Sequence, residues 1–298
     1  MTGDLWVLAT LAASGAQTLR NAMQRELIGA LGAVGSAQVR FLFGLPFAVL
    51  FFFGLLAATG DHAPPLGLAA FGWTAFGAFA QVIATAMMLA AMRTRSFVVA
   101  IAYTKTEPAQ IAFFGLVVLN NPPTPRLVAA IAIAMAGVAL MSAPNRRELA
   151  RDWGSAALGT ASGTFFALAA IGFRSAVIGV ESPSRALAAS LILVVGLLIQ
   201  AATLALYLGL FDQAGARKIL AAWRSSLIAG FMGALASQFW FLAFALTDAA
   251  RVRTLGLIEA PLAWAVSLKV FREPPSLREA LGMGLIVVAA GILVWASA

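Results

Sequence analysis

Lys105, Glu107 and Glu259 are the residues of this chain best placed to do chemistry, because each is an ionisable group set inside a long apolar stretch. The first two fall in IAYTKTEPAQIAFF (101–114) and the third in TLGLIEAPLAW (254–264). On a helix Tyr103, Thr106, Glu107 and Gln110 stand at i, i+3, i+4 and i+7 and form one polar stripe. Lys105 is two residues from both Tyr103 and Glu107, projects in another direction and needs a partner other than Glu107. Pro108 and Pro261 each follow an acid closely and remove a backbone donor, so a kink or broken turn is expected at both places. Charges beside a broken helix can bind a solute: Lys105 would meet a carboxylate, Glu107 or Glu259 an ammonium group. Buried from water, the two acids are also candidates for carrying protons. The structural alternative is that partners on adjacent helices neutralise these groups, which then only fix helix register. A charge near the bilayer centre costs at least about 2.5–3.5 kcal/mol, so function is the favoured explanation.

Weaker candidates surround these. Ser14, Gln17 and Asn21 are spaced about one helical turn apart and could line a cavity. Gln81 and Gln238 are mid-helix amides, as suited to interhelical hydrogen bonds as to ligand contact. Trp73, Phe79, Trp240, Phe241, Phe244 and Trp264 could wall a cavity for an apolar group, whereas Trp6, Trp153, Trp223 and Trp295 stand near segment ends and suit a membrane interface.

Other chemistry lacks its residues. With no cysteine and one histidine, His62, in the turn GDHAPP, thiolate chemistry, disulfides and histidine metal clusters have no basis. No G-x-x-x-x-G-K-[ST] loop occurs. No catalytic residue, metal or cofactor is expected, and the chain is not expected to be an enzyme.

The elements that must position these residues follow from composition. Of 298 residues 61% are hydrophobic and 11% charged, where a soluble domain carries roughly 25% charged residues. Twelve acids and twenty bases cannot cover a soluble core of this size, so an all-α polytopic membrane protein is expected. A span takes about 20 apolar residues. Punctuation by Pro, Gly and charge gives ten: 5–27, 34–58, 67–91, 96–119, 125–143, 154–178, 184–211, 224–247, 250–271 and 277–297. The fifth and tenth, rich in Ala and Gly, read as scaffold, and Pro46, Pro108 and Pro261 as candidate hinges. MTGDLW has Asp4 and no basic residue ahead of the first apolar run, which argues for a span there rather than a cleaved signal peptide.

The chain also reads as a duplication. Glu107-Pro108 and Asn121-Pro122-Pro123-Thr124 in one half match Glu259-Ala260-Pro261 and Glu273-Pro274-Pro275-Ser276 in the other, at equal spacing. The units are 1–145 and 154–298, joined by 146–153. Five spans in each unit would insert the two copies in opposite senses, an inverted repeat. Loops after odd spans hold eleven Lys and Arg (Arg25, Arg93, Arg95, Arg146, Arg147, Arg151, Arg217, Lys218, Arg224, Arg272, Arg278), and loops after even spans hold four (Arg126, Arg185, Arg251, Arg253). The odd loops are therefore expected in the cytoplasm and both termini on the other side of the plasma (inner) membrane. The net charge of +8 is dispersed over these loops, which suits topology and anionic lipid rather than nucleic acid.

The signatures SFVVAIAYTKTEPAQIAFFGLVVLNNPPTPRLVAAIAIAMAGVALM and RVRTLGLIEAPLAWAVSLKVFREPPSLREALGMGLIVVAAGILVW, together with Arg40 early in the second span, resemble the EamA-type transporters of the drug/metabolite transporter (DMT) superfamily. The likeness runs over essentially the whole chain and is greatest to the YddG-type aromatic amino-acid exporters. Asn121 departs from it, standing where an acid is usual, as do Lys105 and Glu107 inside the span. The resemblance implies a secondary transporter, commonly an exporter of amino acids or other small metabolites, with a small-molecule solute and membrane lipid as partners; a monomer suffices for such a design. Three rivals are an exporter of lipophilic cations in exchange for protons, an intramembrane enzyme on a lipid-linked substrate, and a passive channel.

Overall fold

The computed structural model describes residues 5–92, 104–119, 122–142, 153–266, 268 and 276–295. Among them the regular structure is helical throughout, with no strand. In chain order the helices are α1 (Leu5–Thr59), α2 (Leu68–Ala91), α3 (Glu107–Leu119), α4 (Pro125–Ser142), α5 (Trp153–Ile178), α6 (Arg185–Phe211), α7 (Gln213–Ala221), α8 (Trp223–Leu246), α9 (Ala249–Leu255), α10 (Glu259–Val266) and α11 (Leu277–Trp295). A single 3₁₀ turn, Gly256–Ile258, joins α9 to α10. Six of these, α1, α2, α5, α6, α8 and α11, are long and apolar enough to cross a membrane, and the chain is a multi-pass membrane protein. Their outer surface carries large apolar side chains such as Leu50, Phe53, Leu68, Leu206 and Leu210, which a bilayer accepts and water would not.

The 55 residues of α1 fold back on themselves. Gly32 (φ 70°, ψ 178°) interrupts the helix in a conformation that only glycine adopts freely. Gln24 Nε2 donates to the Ser36 carbonyl at 2.7 Å across twelve residues of sequence, a distance that a straight helix would stretch to about 18 Å. The break therefore falls at Gly32, between the first two expected spans. Pro46, proposed as a hinge, sits inside the second arm, and Gly32 is the only non-helical residue within α1.

Three helix pairs dominate the packing: α1 with α8, α2 with α5, and α4 with α11. Small residues at the crossings set how close these approach. A Cβ built on Gly137 would lie 2.5 Å from the Gly282 carbonyl oxygen, and one on Gly172 would lie 2.9 Å from the backbone of Gly77, so both contacts exclude any larger residue. Around them the interior is mostly alanine, with Phe173, Phe241 and Phe244 as the bulky fillers. The short α7 was not among the expected elements. It buries Ile219 against Val39 beside the first hairpin and exposes its other face.

Candidate functional site

The two candidate acids occupy equivalent local settings. Glu107 opens α3 directly after a turn at Lys105 and Thr106, and Glu259 opens α10 directly after the 3₁₀ turn. In each case the proline one or two residues on prevents the helix from running through unbroken. Of the polar stripe expected from Tyr103 to Gln110, Gln110 Nε2 donates to Thr106 Oγ1 at 2.9 Å, so these two share one face, while Tyr103 lies outside the described residues.

Each acid pairs with a base from the other half of the chain. Lys105 Nζ donates to Glu259 Oε2, and Arg253 Nε lies 2.9 Å from Glu107 Oε1, close in distance though not aligned as a hydrogen bond. The other Glu259 oxygen, Oε1, accepts from Gln17 Nε2 at 2.6 Å, and Gln17 Oε1 accepts from Trp240 Nε1 at 2.9 Å. The Arg253 guanidinium stands 4.3 Å from the Trp240 ring and 5.3 Å from that of Phe244, a cation–π placement that fixes it while keeping it dry.

Two further cations complete the cluster. Arg20 Nη2 donates to Asn21 Oδ1 at 2.6 Å, but its Nε and Nη1 have no hydrogen-bond partner among the described residues. Arg40 reaches Thr85 Oγ1 at 3.3 Å and Ser237 Oγ at 3.4 Å, and its Nε is likewise unmatched. Both are about 1% exposed. Arg20 precedes the Gly32 turn by twelve residues and Arg40 follows it by eight, about 18 Å and 12 Å along their arms, which is mid-depth in a bilayer core of about 30 Å. The stems converge on Gly233, where a built Cβ would meet Arg40 Cγ at 3.0 Å and Arg20 Cδ at 3.3 Å.

Gln17, Arg20, Asn21, Met88, Thr104, Lys105, Glu107, Phe166 and Arg253 enclose a cavity of about 10 Å³, about enough for one water molecule. Among the predicted residues the structure thus brings together Gln17, Asn21, Lys105, Glu107, Trp240 and Glu259. Ser14 is fully buried with its Oγ unmatched and does not line this cavity. Gln81 accepts from Gln200 Nε2 at 2.8 Å, and Gln238 donates to the Ala186 carbonyl at 3.4 Å; both are helix-packing contacts. Trp264 packs instead against the α4–α11 contact. Trp73 and Phe79, which could have walled a cavity or packed outside it, are 40% and 48% exposed, and Trp6, expected at the interface, is buried. Arg253, counted as a loop charge, belongs to the cluster, so the loop asymmetry becomes eleven against three.

A second polar group lies at the end of α8. Arg174 donates to the carbonyls of Phe244 (2.6 Å) and Thr247 and to Asp248 Oδ1 (3.1 Å), capping the helix C-terminus where a cation is favoured. It borders a cavity of about 270 Å³ with Pro122, Pro123 and Arg251 on its walls. Among the described residues no group of three or more His, Asp or Glu could hold a metal.

No family profile and no curated protein matches the sequence. A solved structure recorded simply as "Crystal structure of protein" shares the fold, with a TM-score of 0.67 at 15% identity over 99% of this chain and 98% of its own.

Proposed function

We propose that this chain is a secondary transporter of the plasma membrane that moves a small metabolite bearing an acidic group by alternating access through the central cavity. The observation that carries the reading is the buried charge cluster, which among the described residues holds four cations and two carboxylates in a bundle that leaves them room for about one water. Keeping six charges out of water costs several kcal/mol each before pairing, far beyond what helix register requires. A cavity so small admits a solute only when the helices part, which separates a carrier from an open channel.

The topology that suits this is ten spans in two inverted five-helix units, 1–145 and 154–298. In that topology the α1 hairpin would supply two crossings, α2, α5, α6, α8 and α11 five, and α3, α4 and α9 with α10 one each. Helix pairing supports the repeat. In such a scheme the α2–α5 contact has α8 with the first arm of α1 as its counterpart, α3–α5 has α10–α1, and α4–α11 is its own counterpart; α1 meets both α8 and α10, and Gln17 of its first arm bonds Trp240 of α8 and Glu259 of α10. The two ion pairs cross between the units in the same reciprocal way. Rocking of one unit against the other would then break and remake pairs at the centre. By the positive-inside rule the termini lie outside the cytoplasm.

Amino-acid export, the expectation from sequence, is one member of the acidic-metabolite class. A lipophilic cation is disfavoured because the cluster already holds two more positive than negative groups. The test is uptake into liposomes containing the purified protein, with labelled amino acids, organic acids and organic cations, each with and without a pH gradient. Saturable uptake of an acidic solute is expected. Single-channel currents, or no flux of any solute class, would reject the transporter reading.

A further inference from the structure

We propose that the site takes a compact organic dianion, a dicarboxylate or a phosphate monoester, anchored by Arg20 and Arg40, and offers no clasp for an ammonium group. The inference rests on the transporter reading for how the solute arrives, but the charge count stands apart from it. Among the described residues the cluster contains Arg20, Arg40, Lys105 and Arg253 against Glu107 and Glu259. Both acids face a cation: Glu259 holds Lys105 on one oxygen and accepts from Gln17 on the other, and Glu107 Oε1, though it accepts no aligned hydrogen bond among the described residues, lies 2.9 Å from Arg253 Nε. An amine entering here would have to displace a cation from its carboxylate. Arg20 and Arg40 are different. Among the described residues their hydrogen-bond acceptors are neutral and three of their N–H-bearing nitrogens are unmatched; Arg20 feels the attraction of Glu259, but that carboxylate's direct partners are Lys105 and Gln17.

Buried charges in proteins are paired, and guanidinium groups in particular match the planar or branched oxygens of carboxylate and phosphate. Arg20 and Arg40, whose stems converge over Gly233 and whose guanidinium groups are only partly matched, leave the described cluster with an excess of two positive charges, which an anion of charge near −2 would balance. Arg20 borders the cavity itself, beside Asn21 and Lys105. Arg40 lies within electrostatic reach of both Arg20 and Arg253 and would share the anion's charge.

The test is thermal unfolding of the purified full-length protein in neutral detergent, titrated at constant ionic strength with succinate, glycerol phosphate, alanine or tetraethylammonium. A concentration-dependent rise in Tm is expected with succinate or glycerol phosphate and not with the other two; which of the first pair acts at lower concentration separates carboxylate from phosphate. Arg20→Gln and Arg40→Gln should each weaken dianion binding at least about tenfold, the worth of one charge-assisted hydrogen bond. Without ligand both variants should unfold at or above the wild-type temperature, because each removes a buried charge that has no direct carboxylate partner among the described residues; a structural role would lower it. Where a Gln variant does not fold, Arg→Lys at the same position keeps the charge, loses the planar fork and should still weaken binding. Stabilisation by alanine or tetraethylammonium, no effect of either dianion, or unchanged dianion affinity in the variants would overturn the proposal. Dianion binding without liposome flux would reject transport and leave the site intact; flux of a zwitterion or cation without dianion binding would do the reverse.

Discussion

Replacing Glu259 with Gln removes one charge while keeping the side chain's shape, and its consequence follows from the surroundings. Glu259 is 1% exposed and accepts from Lys105 Nζ on Oε2 and from Gln17 Nε2 on Oε1, two partners that line a cavity holding about one water. Glu259→Gln would keep an amide oxygen for Gln17 but strand the Lys105 ammonium, raising the cluster's excess from two positive charges to three. Breaking one side of a buried pair costs about 3–5 kcal/mol, because the surviving charge stays dry and unmatched. At about 2 °C per kcal/mol for a chain of this size, Tm should fall by about 6–10 °C. The assay is thermal unfolding in detergent of Glu259→Gln, Lys105→Met and the double variant. The double variant removes both charges and should recover most of the loss, giving a coupling of about 2 kcal/mol or more. A loss below about 1 kcal/mol in Glu259→Gln, or strict additivity in the double variant, would refute the claim that this ion pair is dry and mutually dependent.

Three further outcomes follow from close contacts and exposure. Gly282→Ala places a Cβ 2.5 Å from both the Gly137 carbonyl oxygen and Met141 Cγ, so α4 and α11 must separate, and unfolding measurements should show a loss of about 1–3 kcal/mol. In Gly163→Ala the new methyl lies 2.7 Å from Thr106 Oγ1 and 2.8 Å from the Thr104 carbonyl oxygen, pressing on the broken turn that carries Lys105; liposome flux should fall several-fold beyond any fall in Tm. Phe79→Ala alters a side chain 48% exposed on the outer surface of α2 and should leave both solute binding and flux at wild-type values.

Much of the fold was legible because the bilayer makes length and apolarity sufficient signals. Residues 68–91, 185–211 and 223–246 form helices close to the expected spans, and Gly32 breaks the chain where two spans were separated. The need of Lys105 for a partner other than Glu107 followed from helical spacing alone, and its partner is Glu259. Naming that partner required knowing which helices meet, which spacing within one segment does not contain. Arg253 was read as a loop charge because it sits in DAARVRTL, a polar run before an apolar one; only the return of α9 against α3 buries it. Arg20 had a signal that went unused. Gln17, Arg20, Asn21 and Gln24 stand at i, i+3, i+4 and i+7, extending the polar stripe of the first span toward its charged member. Trp73 and Phe79 were illegible for a different reason: hydrocarbon and an apolar cavity wall are equally welcoming to an aromatic ring, so sequence gives no preference between them.

Alternating access is tested most directly by the reach of reagents to the central cavity from the two sides of the membrane. The chain has no cysteine, so Met88→Cys, on the cavity wall and 2% exposed in the native protein, supplies a single thiol against a silent background. Labelling with a membrane-impermeant thiol reagent in right-side-out and in inside-out vesicles should modify this position from both faces, as the two units open in turn. Modification from one face alone, or from neither, in both vesicle orientations would contradict the account.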